Sequence, residues 1–229
     1  MRALFIRFKD CEGPGILEPI LRENGWMINF FNAYDTRVQL LPESHLHYQL
    51  IVLLGGPQSV IDPNMDSFFK PYYSLVESIL ATPKKKLVGI CLGSQIIAKT
   101  LGATVSVGEK GPEVGFSSLK IKDLSSPVFS GINSQEVQAF HLHEDVFSIP
   151  QGSKHLLEGS FYPNQMFSYE DHIFALQTHL EPTSSMLQVW MDVHKEFIAK
   201  GKGDFSDMYK KQSEMELSAR TLFRNILTI

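Results

Sequence analysis

A chain of 229 residues, 43% hydrophobic and 20% charged, carries enough apolar material for a large core, which excludes a disordered tail or a small disulfide-stapled scaffold. Its 21 Lys and Arg stand against 25 Asp and Glu, a formal net charge of −4, so no basic field is available to hold nucleic acid or an anionic membrane nonspecifically. The two cysteines, Cys11 and Cys91, suit free thiols in a reduced, cytoplasmic setting.

The opening MRALFIRFKD is broken by Arg7 and Lys9 and lacks the apolar segment of a signal peptide. No apolar run approaches the roughly 20 residues that span a bilayer. ALFIRF and MINFFN read as strands, and GILEPILRENG between them has helical spacing closed by Gly25. A third run, LIVLLGGPQSV, is apolar on both alternating faces until Gly55-Gly56-Pro57, as expected of a parallel strand buried on both sides. PYYSLVESILATPKKK reads as a helix with Pro71 at its start and Pro83 near its end, followed by the buried strand KLVGI. These β-α alternations predict an α/β fold: an open, mostly parallel sheet with helices on both faces.

Over residues 104–178 the character becomes β-rich. EVGFSSLKI, QEVQAFHL, KHLLEGS, NQMFSYE and HIFALQTH predict antiparallel additions to the sheet, the last of them returning to its centre. Two helical stretches follow, SSMLQVWMDVHKEFIAK and DFSDMYKKQSEMELSARTLFRNIL, separated by GKGD. No repeat, low-complexity tract or linker divides the chain, which reads as one domain over residues 1–229.

Ligands of open α/β sheets sit at the carboxyl ends of the strands, and two turns fall there, GGPQS and CLGSQ. Cys91 stands between strand and helix, with Gly89 and Gly93 permitting a tight turn of the nucleophile-elbow kind. At a helix N-terminus unpaired N–H groups and the dipole favour a thiolate, and the N–H of Leu92 faces the oxygen of a carbonyl under attack. Such a nucleophile needs a base and an orienting group. His179 and Glu181 in QTHLEPT lie two apart on an extended strand end and point the same way, giving nucleophile, base and orienter in chain order. The N–H of Gly56 supplies a second oxyanion donor.

GICLGSQ, LLGGPQSV, AFHLHEDVFSIPQG and FALQTHLEPT resemble, in order and spacing, the class I (triad-type) glutamine amidotransferases, most closely the stand-alone branch similar to the amidotransferase domain of GMP synthase. The resemblance implies a flavodoxin-like core, a γ-glutamyl thioester on Cys91, His179 as proton carrier and Glu181 as its orienter. It places Gly56 and Leu92 in the oxyanion hole and Gln95 against the amino-acid end of glutamine. Glu113, Gly115 and Phe116, in EVGF, would line the glutamine pocket, and His143 would sit at its mouth. Two positions depart from the family pattern: Leu180 stands where many members have proline, and Ser94, on the expected pocket wall, where many have histidine or methionine.

Other features read more plainly. Cys11, in KDCEGPG, is an incidental loop thiol, and the apolar residues of MLQVWMDVHKEFI pack on the sheet. His141 and His143 share a face of a strand at a spacing that can bind zinc, but no further Cys or His pair stands near them in sequence, so no metal or other cofactor is expected. The expected substrate is glutamine or another γ-glutamyl compound. The chain leaves no room for a synthetase, so the ammonia user would be a synthetase on another polypeptide. A free-standing γ-glutamyl peptidase with the same triad, and a non-catalytic binding domain, are the rival readings.

Overall fold

The computed structural model describes residues 1–82 and 85–229. The first strand, β1 (Arg2–Arg7), alternates its side chains between two cores: Ala3 and Phe5 enter one, Leu4 and Ile6 the other. β2 (Met27–Asn32), β3 (Leu50–Leu53), β4 (Lys86–Ile90) and β11 (Ile173–Leu176) lie parallel to it, in the order β2-β1-β3-β4-β11. The sheet continues antiparallel through β10 (Asn164–Tyr169), β9 (Lys154–Glu158), β6 (Glu113–Ile121) and β7 (Glu136–His143). The expected parallel core and antiparallel additions are both present, with β11 placed between β4 and β10. A separate ribbon pairs β5 (Val105–Val107) with β8 (Asp145–Phe147).

Helices cover both faces. α1 (Leu17–Glu23), α4 (Ser184–Val193) and α6 (Met208–Thr228) bury Leu17, Trp190 and Phe223 in one core, while α2 (Asp66–Leu80) and α3 (Leu92–Thr100) bury Phe69, Val76 and Ile97 in the other. Apolar burial on both sides of the sheet, at about 25 cal/mol per Å², is the main force holding the layers together. No helix among the described residues is long and apolar enough to cross a membrane.

Helix boundaries depart from expectation in three places. α2 starts at Asp66, five residues before Pro71, which lies inside the helix. Pro71 removes one N–H bond, but Phe69, Tyr72, Leu75, Val76 and Ile79 form an unbroken buried stripe that keeps the helix going through it. Pro83, expected to mark its end, lies outside the described residues. The stretch at 184–200 breaks at His194 into α4 and the short α5 (Lys195–Ile198), and α6 begins at Met208, after a turn in which Asp204 bonds Ser206.

Candidate active site

A cleft of about 290 Å³ opens at the carboxyl ends of the parallel strands, near the lower end of the range usual for small-molecule sites. Its walls come from separate parts of the chain: Glu12 after β1, Gly56 to Ser59 after β3, Cys91 and Gln95 at the start of α3, Leu142 to Asp145 at the end of β7, and His179 beyond β11.

Cys91 is the sharpest local feature. Its backbone, at φ 50° and ψ −109°, lies outside the common regions for a side-chain-bearing residue. The turn holds because the Cys91 N–H bonds the Leu176 carbonyl at 2.7 Å, and the Cys91 carbonyl accepts from the N–H groups of Ser94 and Gln95. The strain thus sits on the cysteine, and the glycines have another purpose. A Cβ at Gly93 would stand 2.0 Å from the Leu53 carbonyl oxygen, and one at Gly89 2.5 Å from the Gly93 carbonyl oxygen, so both allow α3 to press against the strands. Leu92 is the first residue of α3, where N–H groups have no intrahelical acceptor.

Beyond β11 the chain crosses the end of the sheet. Gln177 N–H bonds Gln165, and His179 exchanges two backbone bonds with Phe140 of β7 at 2.8 and 3.0 Å. This fixes the His179 ring, whose Nδ1 lies 2.7 Å from Glu181 Oε1 and which lines the cleft with Cys91, whose Sγ faces the Leu142 carbonyl at 3.9 Å. Trp190 packs edge-on against the same ring, centroids 4.8 Å apart. Burial opposes the imidazolium, but the Glu181 charge and hydrogen bond, with Cys91 beside the ring, prevail and hold His179 well above the ordinary histidine range. The N-terminal loop clamps the segment from the other side. Ile16 N–H bonds the Glu181 carbonyl at 2.9 Å, and Gly15, at φ +51°, has that oxygen where a Cβ would be.

Gln95 lines the cleft and bonds the Asp145 carbonyl at 3.2 Å, and His143 lines it with Nδ1 facing the same oxygen. Glu113 stands behind His143, its Oε2 3.0 Å from His143 Nε2. Gly115 and Phe116 are not on the wall. Gly115 packs against the Asp204 backbone, and Phe116 is buried in the core with its ring edge-on to Phe140. Ser94 is likewise off the wall: its hydroxyl turns inward to bond the Cys91 carbonyl at 2.6 Å.

His141, His143 and Glu113 do converge, the set a metal would need. Gln165 donates to Glu113 Oε2 at 2.8 Å and His141 Nε2 pairs with the Ser117 hydroxyl at 2.8 Å, while His141 Nδ1 and His143 Nε2 face Glu113 without a hydrogen-bond partner among the described residues. Burial pushes His141 down to about 4, against the pull of Glu113.

Several wall residues are absent from the sequence reading, among them Glu12, His194 and Phe197. His194 and Phe197, expected to pack within one long helix, reach the cleft because the helix breaks between α4 and α5. Glu12, hidden beside the cysteine of KDCEGPG, is buried on the cleft wall, and the only hint is the glycine-proline turn that follows it. Cys11 lies behind the wall, its sulfur 3.7 Å from His194 Nε2, and burial together with the Glu12 and Asp10 charges pushes its thiol up to about 11.

A parallel sheet with a strained cysteine at a strand-to-helix turn, facing a buried histidine-glutamate pair, defines a cysteine-centred α/β site. The family model described as Glutamine amidotransferase class-I matches residues 17–190, and the chain belongs to that family. Among its relatives, a glutamine-hydrolyzing GMP synthase subunit from Sulfurisphaera tokodaii is 34% identical over 66% of this chain and 76% of that protein. Gamma-glutamyl peptidase 2 of Arabidopsis thaliana is 33% identical over 49% of this chain and 46% of that one. The crystal structure of a glutamine amidotransferase from Thermotoga maritima superimposes with a TM-score of 0.84, at 28% identity, covering 99% of this chain and 96% of that one.

Proposed function

We propose that the chain hydrolyses the side-chain amide of glutamine through a thioester on Cys91, and that the ammonia released is used by an acceptor enzyme. The observation that carries this reading is the His179 ring, held by Glu181 at 2.7 Å and lining the same cleft as Cys91. That arrangement favours an imidazolium facing a thiolate, the activated form of a cysteine nucleophile.

The thiolate attacks the amide carbon, and the negative oxygen turns to the N–H groups of Gly56 and Leu92. His179 gives its proton to the nitrogen as the C–N bond breaks, so ammonia leaves and a thioester remains. Water then attacks the thioester, losing a proton to His179, and glutamate departs as the thiolate re-forms. Glu181 keeps the ring in one tautomer throughout. Gln95, His143 and Asp145 hold the amino-acid end of the substrate, and the carboxylates of Glu144 and Asp145 on the wall suit its free ammonium group.

By analogy with the relative that forms part of a GMP synthase, the ammonia user is a second polypeptide. A second reading keeps these steps and replaces ammonia by the amine of a γ-glutamyl peptide; it is favoured by the similarity to a γ-glutamyl peptidase. Ammonia release from glutamine and glutamate release from a γ-glutamyl dipeptide, each measured with wild type and Cys91→Ser, decide between them. Activity undiminished in Cys91→Ser would reject both.

A further inference from the structure

Glu12 belongs to neither the nucleophile, the base nor its orienter, yet it is buried on the wall of the same cleft. Its Oε2 has no hydrogen-bond partner among the described residues. A carboxyl oxygen of Glu12 lies within 4.8 Å of both a His179 ring nitrogen and a Glu181 carboxyl oxygen. Gly55 leaves the space that brings it there: a Cβ on Gly55 would stand 3.1 Å from Glu12 Oε2 and 3.2 Å from His179 Cε1. His179 Nδ1 is taken by Glu181, and Glu12 Oε2 and His179 Cε1 share the space beside Gly55, so Glu12 stands at the Cε1 edge of the ring.

We propose that Glu12 is a positioning residue for the triad: a second carboxyl on the His179 ring whose charge sets how firmly the imidazole keeps its proton and thereby how reactive Cys91 is. The proposal rests on reading Cys91, His179 and Glu181 as one reacting unit. Burial pushes the Glu12 carboxyl up to about 7, with His179 pulling it down and Glu181 pushing it up. The groups facing it are His179 and Glu181 beyond β11, His194 between α4 and α5, its neighbour Cys11, and Cys91 across the cleft. His194 is held below its ordinary value by burial and by the His179 charge, and the Cys11 thiol stays protonated over this range. Glu12 thus changes charge near neutrality beside the ring. Below about pH 7 it is a neutral acid beside the ring; above, it is an anion that stabilises the imidazolium and so the thiolate.

The test is the rate at which iodoacetamide alkylates Cys91, followed by peptide mass spectrometry from pH 5.5 to 9 so that Cys11 is counted apart. Wild type is expected to show a rise of about tenfold centred near pH 7, equivalent to about one unit of imidazole pKa. Glu12→Gln should lose that rise, and Glu12→Asp should keep part of it. An unchanged rise in a folded Glu12→Gln protein overturns the proposal, as does a rate lowered equally at every pH. If Glu12→Gln does not fold, the His179 Cε1–H resonance of wild type serves instead. It should shift near pH 7 while the ring stays protonated, and the absence of that shift rejects the role. No substrate is involved, so failure here leaves the amidotransferase reading intact. That reading fails separately, if Cys91→Ser still releases ammonia.

Discussion

Two buried histidine-carboxylate sets lie within one sheet, and they behave oppositely. Beyond β11, His179 has Glu181 at 2.7 Å, a thiol partner and an open cleft, and it is held well above the ordinary histidine range. On β7, His141 has the Glu113 carboxylate 3.5 Å from Nδ1 and a serine hydroxyl on its other nitrogen, and burial pushes it down to about 4. Residue types and burial are the same in both. The difference is that Glu181 bonds its ring at 2.7 Å, whereas Glu113 Oε2 accepts from Gln165 and stands 3.5 Å from His141 Nδ1, without a hydrogen bond to it. A carboxylate hydrogen-bonded to an imidazole charges it; one that only stands near it leaves the ring to the penalty of burial.

The comparison breaks most visibly at the reacting groups. Cys91→Ser and His179→Gln are each expected to lower amide hydrolysis by at least about 10³-fold, while His141→Gln should change it by less than about threefold, as read by ammonia release. Gly15→Ala comes next. Its Cβ would fall 1.8 Å from the Glu181 carbonyl oxygen at a positive φ, so it should unseat that pair alone and cost about 3 to 4 kcal/mol in a urea unfolding curve.

The pH dependences follow with opposite signs. Glu12, raised from 4.5 to about 7, binds more protons folded than unfolded across that window, so it lowers stability as pH rises through it. Glu12→Gln should therefore gain about 3 kcal/mol over wild type at pH 8 and little at pH 5, read from thermal melts. His141, lowered from 6.5 to about 4, makes the unfolded chain the better proton acceptor in between, so stability falls as pH drops. By pH 5 this costs about 2 kcal/mol that His141→Gln should not lose. Smallest is Ser94→Ala, which removes one bond to the Cys91 carbonyl: about 1 kcal/mol of stability, with kcat on glutamine unchanged.

The parallel strands are legible in the sequence because their apolar runs are continuous and end in glycine turns, and the strands of the second half because their alternation is clean. Helix limits are less so, since Pro71 is a stop signal by local chemistry that a buried stripe on both sides overrides. Cys91, His179, Glu181, Gly56 and Gln95 stand in short motifs, where spacing along a strand end or turn suffices to bring side chains to one place. Gly115 and Phe116 share the motif of Glu113, but Gly115, at φ +86°, packs against the Asp204 backbone and Phe116 is buried in the core. Glu12 has no such motif. Its place depends on a loop folding back over residues 179–181, a contact between chain segments more than 160 positions apart, which no local pattern records.

The insertion of β11 between β4 and β10 also has a consequence for how the protein is made. Cys91 leaves the ribosome about 90 residues ahead of Glu181, roughly 5 to 20 seconds at usual elongation speeds. During that interval the thiol has neither its base nor the Leu176 carbonyl that holds its turn. As the nucleophile proposed above, Cys91 would therefore meet His179 only when the sheet closes around β11.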